Sequence, residues 1–362
     1  MRRTYMMGLR AHWRFILIVV SLFYGRPLVV HAQFLPVGDP LEGYLLMLRG
    51  AGQSGAFSAS VRPLPLDLVN EVDSGAVHPW HHLLDRYRQP HGMTSRFGVF
   101  DALGEAYWNS ARPYGQNDGA VWQGKGGTVA FSVGVFARYG VVSGVLRPSF
   151  IHTANAGFEL SALPVASGRS PYAYSLRPDI DTPQRFGTDP YSTVDLGQSY
   201  LRIDYKGLVA GISNENLWWG PALRNPIIMS NHAPGFVHAF LGTSGPVDVY
   251  VGRLQGRWIW GSLDESAYFD STAGNDHRFL SAIVLDYTPR WIPGLSVGMS
   301  HALMLDPRLD KQFFRDYLGV INPPFIELPN ERAQQGDDKM ISFFARWMHP
   351  ASGFEVYGEW GR

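Results

Sequence analysis

The feature that most constrains this chain is an alternation of apolar with small or polar residues that recurs from about residue 95 onward. From Val129 to Val135 every second residue is apolar, and the residues between them are mostly small or polar. The same rule holds in 201–205, 295–299 and 354–360. Strands with this pattern bury one face and expose the other.

We predict eleven strands, at 96–109, 128–138, 141–151, 197–206, 208–215, 236–242, 247–256, 278–288, 294–304, 339–348 and from 354 to the end. The connections between them alternate between long and short. Outer-membrane barrels have tight periplasmic turns and long external loops, whereas a soluble sandwich has no reason to sort its loops in this way. The sequence therefore favours an all-β, antiparallel transmembrane outer-membrane β-barrel over the sandwich.

The strand count and the end of the chain add a further expectation. Single-chain bacterial barrels have an even number of strands, but eleven is odd. The sequence stops at "EVYGEWGR", inside a predicted strand and without the usual terminal aromatic residue. We therefore expect a C-terminally truncated fragment that lacks at least one strand.

The N-terminal residues have the pattern of a secretory signal. In residues 1–32, four arginines precede an apolar run of about ten residues, and the small residue Ala32, after which we expect cleavage, ends the segment. The run is short for a spanning helix, which needs roughly twenty residues, although an uncleaved anchor is the alternative. No later stretch has eighteen uninterrupted apolar residues, so we expect membrane residence to come from strands.

We expect three parts: the signal peptide 1–32, a periplasmic helical region 33–94 and a partial barrel 95–362. In the helical region, Asp39 and Pro40 favour a helix start and Gly50 a helix end. A second helix is predicted from Pro79 to Pro90.

Composition excludes some functions. The chain has 31 basic and 31 acidic residues, which argues against a nucleic-acid partner. It has no cysteine, so disulfides and thiolate metal sites are absent from its chemistry.

No common catalytic motif is present, and we expect no cofactor, no metal and no enzymatic turnover. Four residues have a spacing that could place metal ligands on one helix face, although an amphipathic helix explains them better: His78, His81, His82 and Asp85. Three carboxylates fall on predicted inward faces, where a pair could cleave a glycosidic bond but where polar residues are common without any chemistry: Asp204, Glu355 and Glu359.

Aromatic residues are frequent in or beside the predicted external loops: Trp122, Trp218, Trp219, Trp258, Trp260, Tyr268 and Phe269. Such rings can stack on the flat C–H faces of sugars. The alternative is an aromatic girdle at the membrane interface, which is at least as good an interpretation for Trp258 and Trp260. For Trp218 and Trp219, girdle, loop packing and ligand contact all stay open.

Residues 200–234, "YLRIDYKGLVAGISNENLWWGPALRNPIIMSNHAP", resemble the Wzi family of capsule assembly proteins. That family has a strand pair followed by W-G-P-G and then S-N-N-A. The residues that match are Trp219, Gly220, Pro221, Ser230, Asn231 and Ala233. Ala222 and His232 depart from the pattern. The early "YLLMLRGAG" and the final "GFEVYGEWGR" are also similar to parts of the family.

The resemblance implies an eighteen-stranded barrel in the outer membrane of a Gram-negative bacterium, with a small periplasmic N-terminal region. It implies a lectin that binds capsular or extracellular polysaccharide and supports capsule assembly or retention. The other expected partners are outer-membrane lipid and the barrel-assembly machinery. The rival functions are a diffusion pore or transporter and a glycan-cleaving enzyme. From loop placement and side-chain chemistry, the candidate sugar contacts are Trp122, Trp218, Trp219, Asn225, Asn231, His232 and Tyr268.

Overall fold

The structure is a computed structural model that describes residues 34–51, 53, 57–72, 80, 84, 95–161, 169–174, 180–270, 276–305, 318–321, 338–349 and 351–362. The predicted signal peptide lies outside these residues. So does the second predicted helix, except for Trp80 and Leu84. Within the described part of the chain, no helix is long and apolar enough to cross a membrane.

The first described elements form an N-terminal segment, residues 34–72. Its elements are β1 (Phe34–Leu35), α1 (Pro40–Gly50), β2 (Val61–Arg62), β3 (Leu64–Pro65) and a 3-10 turn (Leu66–Glu71). The Asp39 side chain caps α1 by accepting a hydrogen bond from the Leu41 N–H, 2.9 Å away. The predicted helix from Pro40 to Gly50 is therefore confirmed.

The rest of the described chain consists mainly of strands: β4 (Ser95–Val99), β5 (Leu103–Asn109), β6 (Gly126–Ser132), β7 (Val135–Tyr139), β8 (Val142–Leu146), β9 (Ser149–Thr153), β10 (Tyr191–Asp195), β11 (Tyr200–Tyr205), β12 (Leu208–Ser213), β13 (Trp218–Trp219), β14 (His238–Thr243), β15 (Val247–Val249), β16 (Gly252–Asp264), β17 (His277–Pro289), β18 (Leu295–Leu305), β19 (Asp338–His349) and β20 (Phe354–Gly361). A further 3-10 turn spans Gly319–Ile321.

These strands form an antiparallel meander in chain order. The pairs β4/β5, β6/β7, β8/β9, β10/β11 and β14/β15 are each one longer strand with a break, which leaves eleven strands in the meander, with β13 apart from it. This arrangement confirms the predicted antiparallel all-β barrel class. Among the described residues the barrel wall is open, because the first strand, β4/β5, and the last, β20, pair on one side only.

Three predicted boundaries are wrong, and one of them is the strand end predicted at 256, since β16 continues to Asp264. The segment "GTSGP" is a break within the strand formed by β14 and β15, and the hairpin turn lies at Tyr250–Val251. Gly and Pro mark bulges as well as turns, which explains the error. Strand β10 lies inside the predicted loop 152–196, because its single aliphatic residue, Val194, produces too weak an alternation.

The short turns lie at one end of the sheet and the long connections lie at the other, as the sequence predicted. Turns at 140–141, 206–207, 250–251, 290–294 and 350–353 join the strands at one end, and connections at 110–125, 154–190, 214–237, 265–276 and 306–337 join them at the other. At 206–207, Lys206 and Gly207 both have positive φ, as a two-residue hairpin turn requires. We call the long connections the external loops.

The two faces of the sheet differ in chemistry. Large apolar side chains are exposed on the outward face, among them Phe97, Val99, Val129, Phe131, Leu201, Ile203, Leu241, Trp347 and Val356. The inward face buries polar and charged groups such as Arg202, Asp204, Arg257, Asp286 and Arg346. An exposed apolar band around a polar interior is the pattern of a barrel in lipid.

The N-terminal segment packs against the inward face. The Phe34 ring lies between two strand arginines, 3.9 Å from the Arg202 guanidinium and 4.6 Å from that of Arg257. At the other end of the segment, Val61 joins an apolar cluster with inward residues of the strands, including Ile259 and Val284. The segment therefore covers the interior of the barrel wall.

An ion-pair network also holds this segment. Arg49 of α1 lies 3.2 Å from Glu355, which also pairs with Arg346 of β19 at 2.6 Å. Both arginines are buried, and burial, together with Arg346, lowers the pKa of Arg49 to about 10. Glu355 thus pairs with two buried cations.

Replacing Glu355 with Gln should destabilise the protein, because two buried guanidinium groups would lose their shared anion. We expect a loss of about 2–3 kcal/mol, as for hydrogen bonds to charged groups. Urea unfolding in detergent, followed by tryptophan fluorescence, measures it. The matched control is Asp248→Asn, which breaks an exposed pair with Arg253 and should cost less than about 1 kcal/mol. Equal losses in the two variants would contradict the role assigned to Glu355.

Candidate functional site

Loop 214–237 contains the family-like motif and folds toward the interior. Its residues Trp218 and Trp219 form β13, which pairs antiparallel with β2 of the N-terminal segment. The Gly220 N–H donates to the Ser60 carbonyl oxygen at 2.8 Å and extends this joint. The motif therefore ties an external loop to the N-terminal segment.

The two tryptophans are buried. Trp219 has 0% of its surface exposed and Trp218 has 3%. The Trp218 Nε1 donates to the Ala222 carbonyl oxygen at 3.0 Å, and the Arg62 guanidinium lies 5.2 Å from the Trp218 ring centre. Of the three roles left open by the sequence, this environment matches loop packing, and sugar contact by these rings stays a prediction.

The next motif residues, Gly220 and Pro221, are also buried. Gly220 has φ +111°, and a side chain there would lie within 3 Å of the Glu359 carboxylate. Glu359 itself accepts from the Ser342 hydroxyl and the Ile227 N–H. The positive φ therefore favours glycine at this position, and a larger residue would also displace the Glu359 carboxylate.

The second half of the motif connects two external loops. The buried Asn231 side chain donates through Nδ2 to the Asn117 carbonyl oxygen at 2.7 Å, and the Asn231 main-chain carbonyl oxygen accepts from the Gly119 N–H at 2.9 Å. The Ala233 carbonyl oxygen accepts from Asn216 at 2.7 Å, whereas Ser230 is half-buried beside them. Asn231 thus holds loop 110–125 against loop 214–237.

Asn225 and His232 lie on the exposed side of the same loop. The Asn117 N–H donates to His232 Nδ1 at 3.4 Å, so the neutral ring carries its proton on Nε2 and donates to Asn225 Oδ1 at 3.1 Å. The structure therefore brings these two candidates together at the surface.

The other two candidates, Trp122 and Tyr268, meet in an aromatic cluster built from three external loops and the start of β10. Its rings are Trp122, Tyr172, Phe186, Tyr191 and Tyr268, and all five are half-buried. The Phe186 ring is central, with its centre 4.7 Å from Trp122, 4.8 Å from Tyr191 and 5.4 Å from Tyr268. Tyr172 packs against Tyr268 at 5.6 Å.

Sequence reasoning missed three members of this aromatic cluster. Tyr172, Phe186 and Tyr191 lie within the predicted loop 152–196, which has no recognisable motif. The buried Asn155 amide holds the backbone beside the central ring, because it donates to the Phe186 and Asp189 carbonyl oxygens at 2.8 and 2.7 Å. The contacts among these rings follow from the fold of the loop, and no sequence pattern indicates them.

Two tryptophans are not in the loops where the sequence placed them. Trp258 and Trp260 lie within β16, with ring centres 4.4 Å apart. The Trp258 Nε1 donates to Ser281 of the neighbouring strand β17. They belong to the barrel wall, because β16 continues well past the predicted end at residue 256.

A polar cleft of about 310 Å³ lies beneath the external loops. It is bounded by the N-terminal segment at 36–40, loop 110–125 and the inward face of β5 and β6. Its polar lining includes Asp39, Glu105, Tyr107, Asn117, Asp118, Arg147, Asp195, Gln198, Asn216 and Asn231. Val121 lines this polar cleft, and the next residue, Trp122, belongs to the aromatic cluster, so the two features adjoin.

Several carboxylates of the polar cleft already accept hydrogen bonds from the protein. Asp39 caps α1, Asp118 accepts from the Gln116 N–H, and Asp195 accepts from the Gly197 N–H. Burial raises the pKa of Asp39 and of Asp118. Glu105 accepts from the Tyr107 hydroxyl at 2.9 Å and is otherwise exposed.

The residues weighed for other chemistry do not form a site among the described residues. Asp204 pairs with Arg202 at 2.9 Å, and Glu355 and Glu359 are engaged as described above. The histidines at 78, 81 and 82 and Asp85 lie outside the described part of the chain. Within that part, no group of three potential ligands could hold a metal ion.

Replacing Trp219 with Ala should destabilise the protein strongly, because a fully buried ring would leave a cavity at the joint of β2 and β13. We expect a loss of about 3–5 kcal/mol in unfolding free energy, measured by urea titration. Leu223→Ala, at an exposed position of the same loop, is the matched control and should have little effect. A stable Trp219→Ala protein would argue against packing as the role of this ring.

Comparison with known proteins supports the fold. No known family model matches the sequence, and no curated protein matches it. The structure is similar to that of Wzi from Escherichia coli, described as an outer membrane protein involved in group 1 capsule assembly and a carbohydrate-binding β-barrel. The TM-score is 0.52 at 13% sequence identity, over 91% of this chain and 63% of that one. This chain, which spans about 63% of the length of that protein, therefore has a Wzi-like β-barrel fold.

Proposed function

We propose that this protein is a diverged member of the Wzi family that resides in the outer membrane and binds a surface polysaccharide through its external loops. The observation that carries the proposal is the aromatic cluster, which draws half-buried rings from three external loops. Rings that keep part of their surface exposed can stack on sugar C–H faces. The similarity to a carbohydrate-binding barrel supports the same activity.

The exposed edge of the site supplies polar partners for sugar hydroxyls. Asn225 and His232 lie at the surface of loop 214–237, and Asn117 connects them to loop 110–125. Amide and imidazole groups can donate to and accept from hydroxyls. Each contact is weak by itself. A repeating polymer engages many protein copies at once, so avidity strengthens the retention of the polysaccharide.

The interior of the barrel favours a binder over a pore. The N-terminal segment covers the inward face, and loop 214–237 folds onto that segment. The proposed activity is binding without turnover, since the inward carboxylates Asp204, Glu355 and Glu359 are engaged by neighbouring groups.

The double variant Trp122→Ala, Tyr268→Ala should lose polysaccharide binding, because it removes two rings of the aromatic cluster. We expect the dissociation constant for the host surface polysaccharide to rise at least about tenfold, equivalent to about 1.4 kcal/mol. Surface plasmon resonance with immobilised polysaccharide measures this change. The matched control is Trp291→Ala, Tyr250→Ala, which removes exposed rings from turns at the opposite end. Equal loss in both double variants would contradict a site in the external loops.

Incubation of the protein with the host polysaccharide should produce no new reducing ends, because the proposed activity breaks no bond. A reducing-sugar assay over several hours checks this outcome, with a known glycosidase as positive control. New reducing ends that scale with protein concentration would replace the binder with a glycan-cleaving enzyme.

A further inference from the structure

We infer that the outward face of β6, β9 and β10 binds a phosphorylated, acylated lipid on the external side of the membrane. This inference goes beyond the proposed polysaccharide binding and rests only on the proposed residence in the outer membrane. Three features carry it: an apolar groove, a polar pair at the external end of that groove, and two cations at the rim beyond the pair. Their order along the strands matches the order of acyl chain, polar linkage and phosphate in such a lipid.

The outward groove has a volume of about 460 Å³ and lies across three neighbouring strands. Its outward side chains form two rows, one of Phe131, Phe150 and Val194 and the other of Val129, His152 and Ser192. The four apolar side chains among them are between 46% and 65% exposed. An apolar surface of this kind on the lipid-facing side of a barrel is suited to acyl chains.

The second row contains a polar pair in an otherwise apolar face. The His152 Nδ1 lies 2.8 Å from the Ser192 Oγ, and both side chains are exposed. When the Ser192 hydroxyl donates to Nδ1, the neutral ring carries its proton on Nε2, which has no partner among the described residues. A polar group that faces hydrocarbon without a partner is costly. The ester and amide oxygens that link acyl chains to a headgroup can accept this proton.

The polar pair lies on the external side of the groove. Strand β9 runs toward loop 154–190, so His152 is about 7 Å nearer to that loop than Phe150. In the next row outward, Trp108 is 76% exposed and pairs with Gly127. Tryptophan is typical of the boundary between hydrocarbon and headgroups. The polar pair therefore lies close to the depth at which acyl chains join their headgroup.

Two cations lie at the rim beyond this boundary. Lys125 directly precedes β6, and its Nζ donates to the Gly157 carbonyl oxygen at 3.0 Å. A methyl group built on Gly157 would lie 3.7 Å from the Arg185 Nη1, so both cations lie beside the same residue. Both donate to main-chain carbonyl oxygens, and neither pairs with a carboxylate within the described part of the chain. A phosphate group provides the anion that these two cations lack.

The three features are close enough for one lipid molecule to reach all of them. At 3.3 Å per residue, Lys125 lies no more than about 13 Å from the row that contains Val129 and the polar pair. A free phosphate ion would engage the cations and leave the outward groove empty. The combination of groove, polar pair and cations therefore favours a lipid.

The probe is lipid A, a phosphorylated glycolipid with several acyl chains, and the comparison is the same lipid A with its phosphates removed. Native mass spectrometry of the full chain in detergent micelles measures the fraction of protein with lipid bound over a range of lipid concentrations. We expect the phosphorylated form to bind at least about tenfold more tightly, because it adds charge-assisted hydrogen bonds. Millimolar inorganic phosphate should not displace it.

A substitution at the rim tests the role of the cations. Lys125→Gln should reduce the preference for the phosphorylated form to about threefold or less, because a charge-assisted hydrogen bond is lost. The matched control is Lys206→Gln, which removes an exposed cation from a short turn at the opposite end of the sheet and should keep the full preference.

Substitutions in the outward groove test the acyl chain and its linkage. Val129→Trp places a larger ring in the groove and should weaken both lipid forms by about tenfold, because it occupies the space of an acyl chain. His152→Leu should weaken both forms by about threefold, because it removes the donor to the linkage. Leu201→Trp, at an exposed outward position of β11 outside the groove, is the matched control and should leave both affinities unchanged. Unchanged unfolding midpoints confirm that the variants are folded.

The outcomes separate this lipid site from the proposed function. Equal binding of the two lipid forms, displacement by inorganic phosphate, or unchanged binding in Lys125→Gln and Val129→Trp overturns the lipid site and leaves polysaccharide binding standing. If the lipid results are as expected but the protein binds no polysaccharide, the proposed polysaccharide binding fails and the lipid site stands.

Discussion

The joint between β2 and β13 is the interaction on which the interior arrangement depends. Trp219 packs loop 214–237 against the inward face of the barrel wall, and the Gly220 N–H donates a hydrogen bond to the Ser60 carbonyl oxygen beside it. Val61 and Trp219 share one apolar cluster with the inward residues of the strands. A strand edge inside a barrel needs a partner for its backbone groups, and each of these two segments supplies the other with one.

The outward and inward faces of the sheet around this joint have different side-chain chemistry. The outward face exposes apolar side chains, so the polar and charged groups must face inward, where they need partners. The N-terminal segment supplies them, since Arg49 reaches Glu355 and Phe34 lies between Arg202 and Arg257. The same segment, at 36–40, forms one wall of the polar cleft, so the packing of the interior also shapes the candidate site.

Period-two patterning predicted the strands where one face is strongly apolar, as between Val129 and Val135. It failed at Tyr191–Asp195, where Val194 is the single aliphatic residue, and at β16, which extends to Asp264 past its predicted end. Alternation reports a strand only when the two faces differ in hydrophobicity. Likewise, glycine and proline in "GTSGP" report a break in regular pairing without saying whether the chain turns back there.

By itself the sequence determined the all-β class, the alternation of tight turns with long loops, the cap of α1 and the presence of a distinctive motif at Trp219 to Pro221. These are local properties, set by side-chain spacing and backbone preference within a few residues. Only the tertiary structure decided that the motif tryptophans are buried, that Trp122 and Tyr268 meet through Phe186, and that Asn231 joins loop 110–125 to loop 214–237. Those outcomes depend on contacts between segments far apart in the chain, for which no local pattern carries a signal.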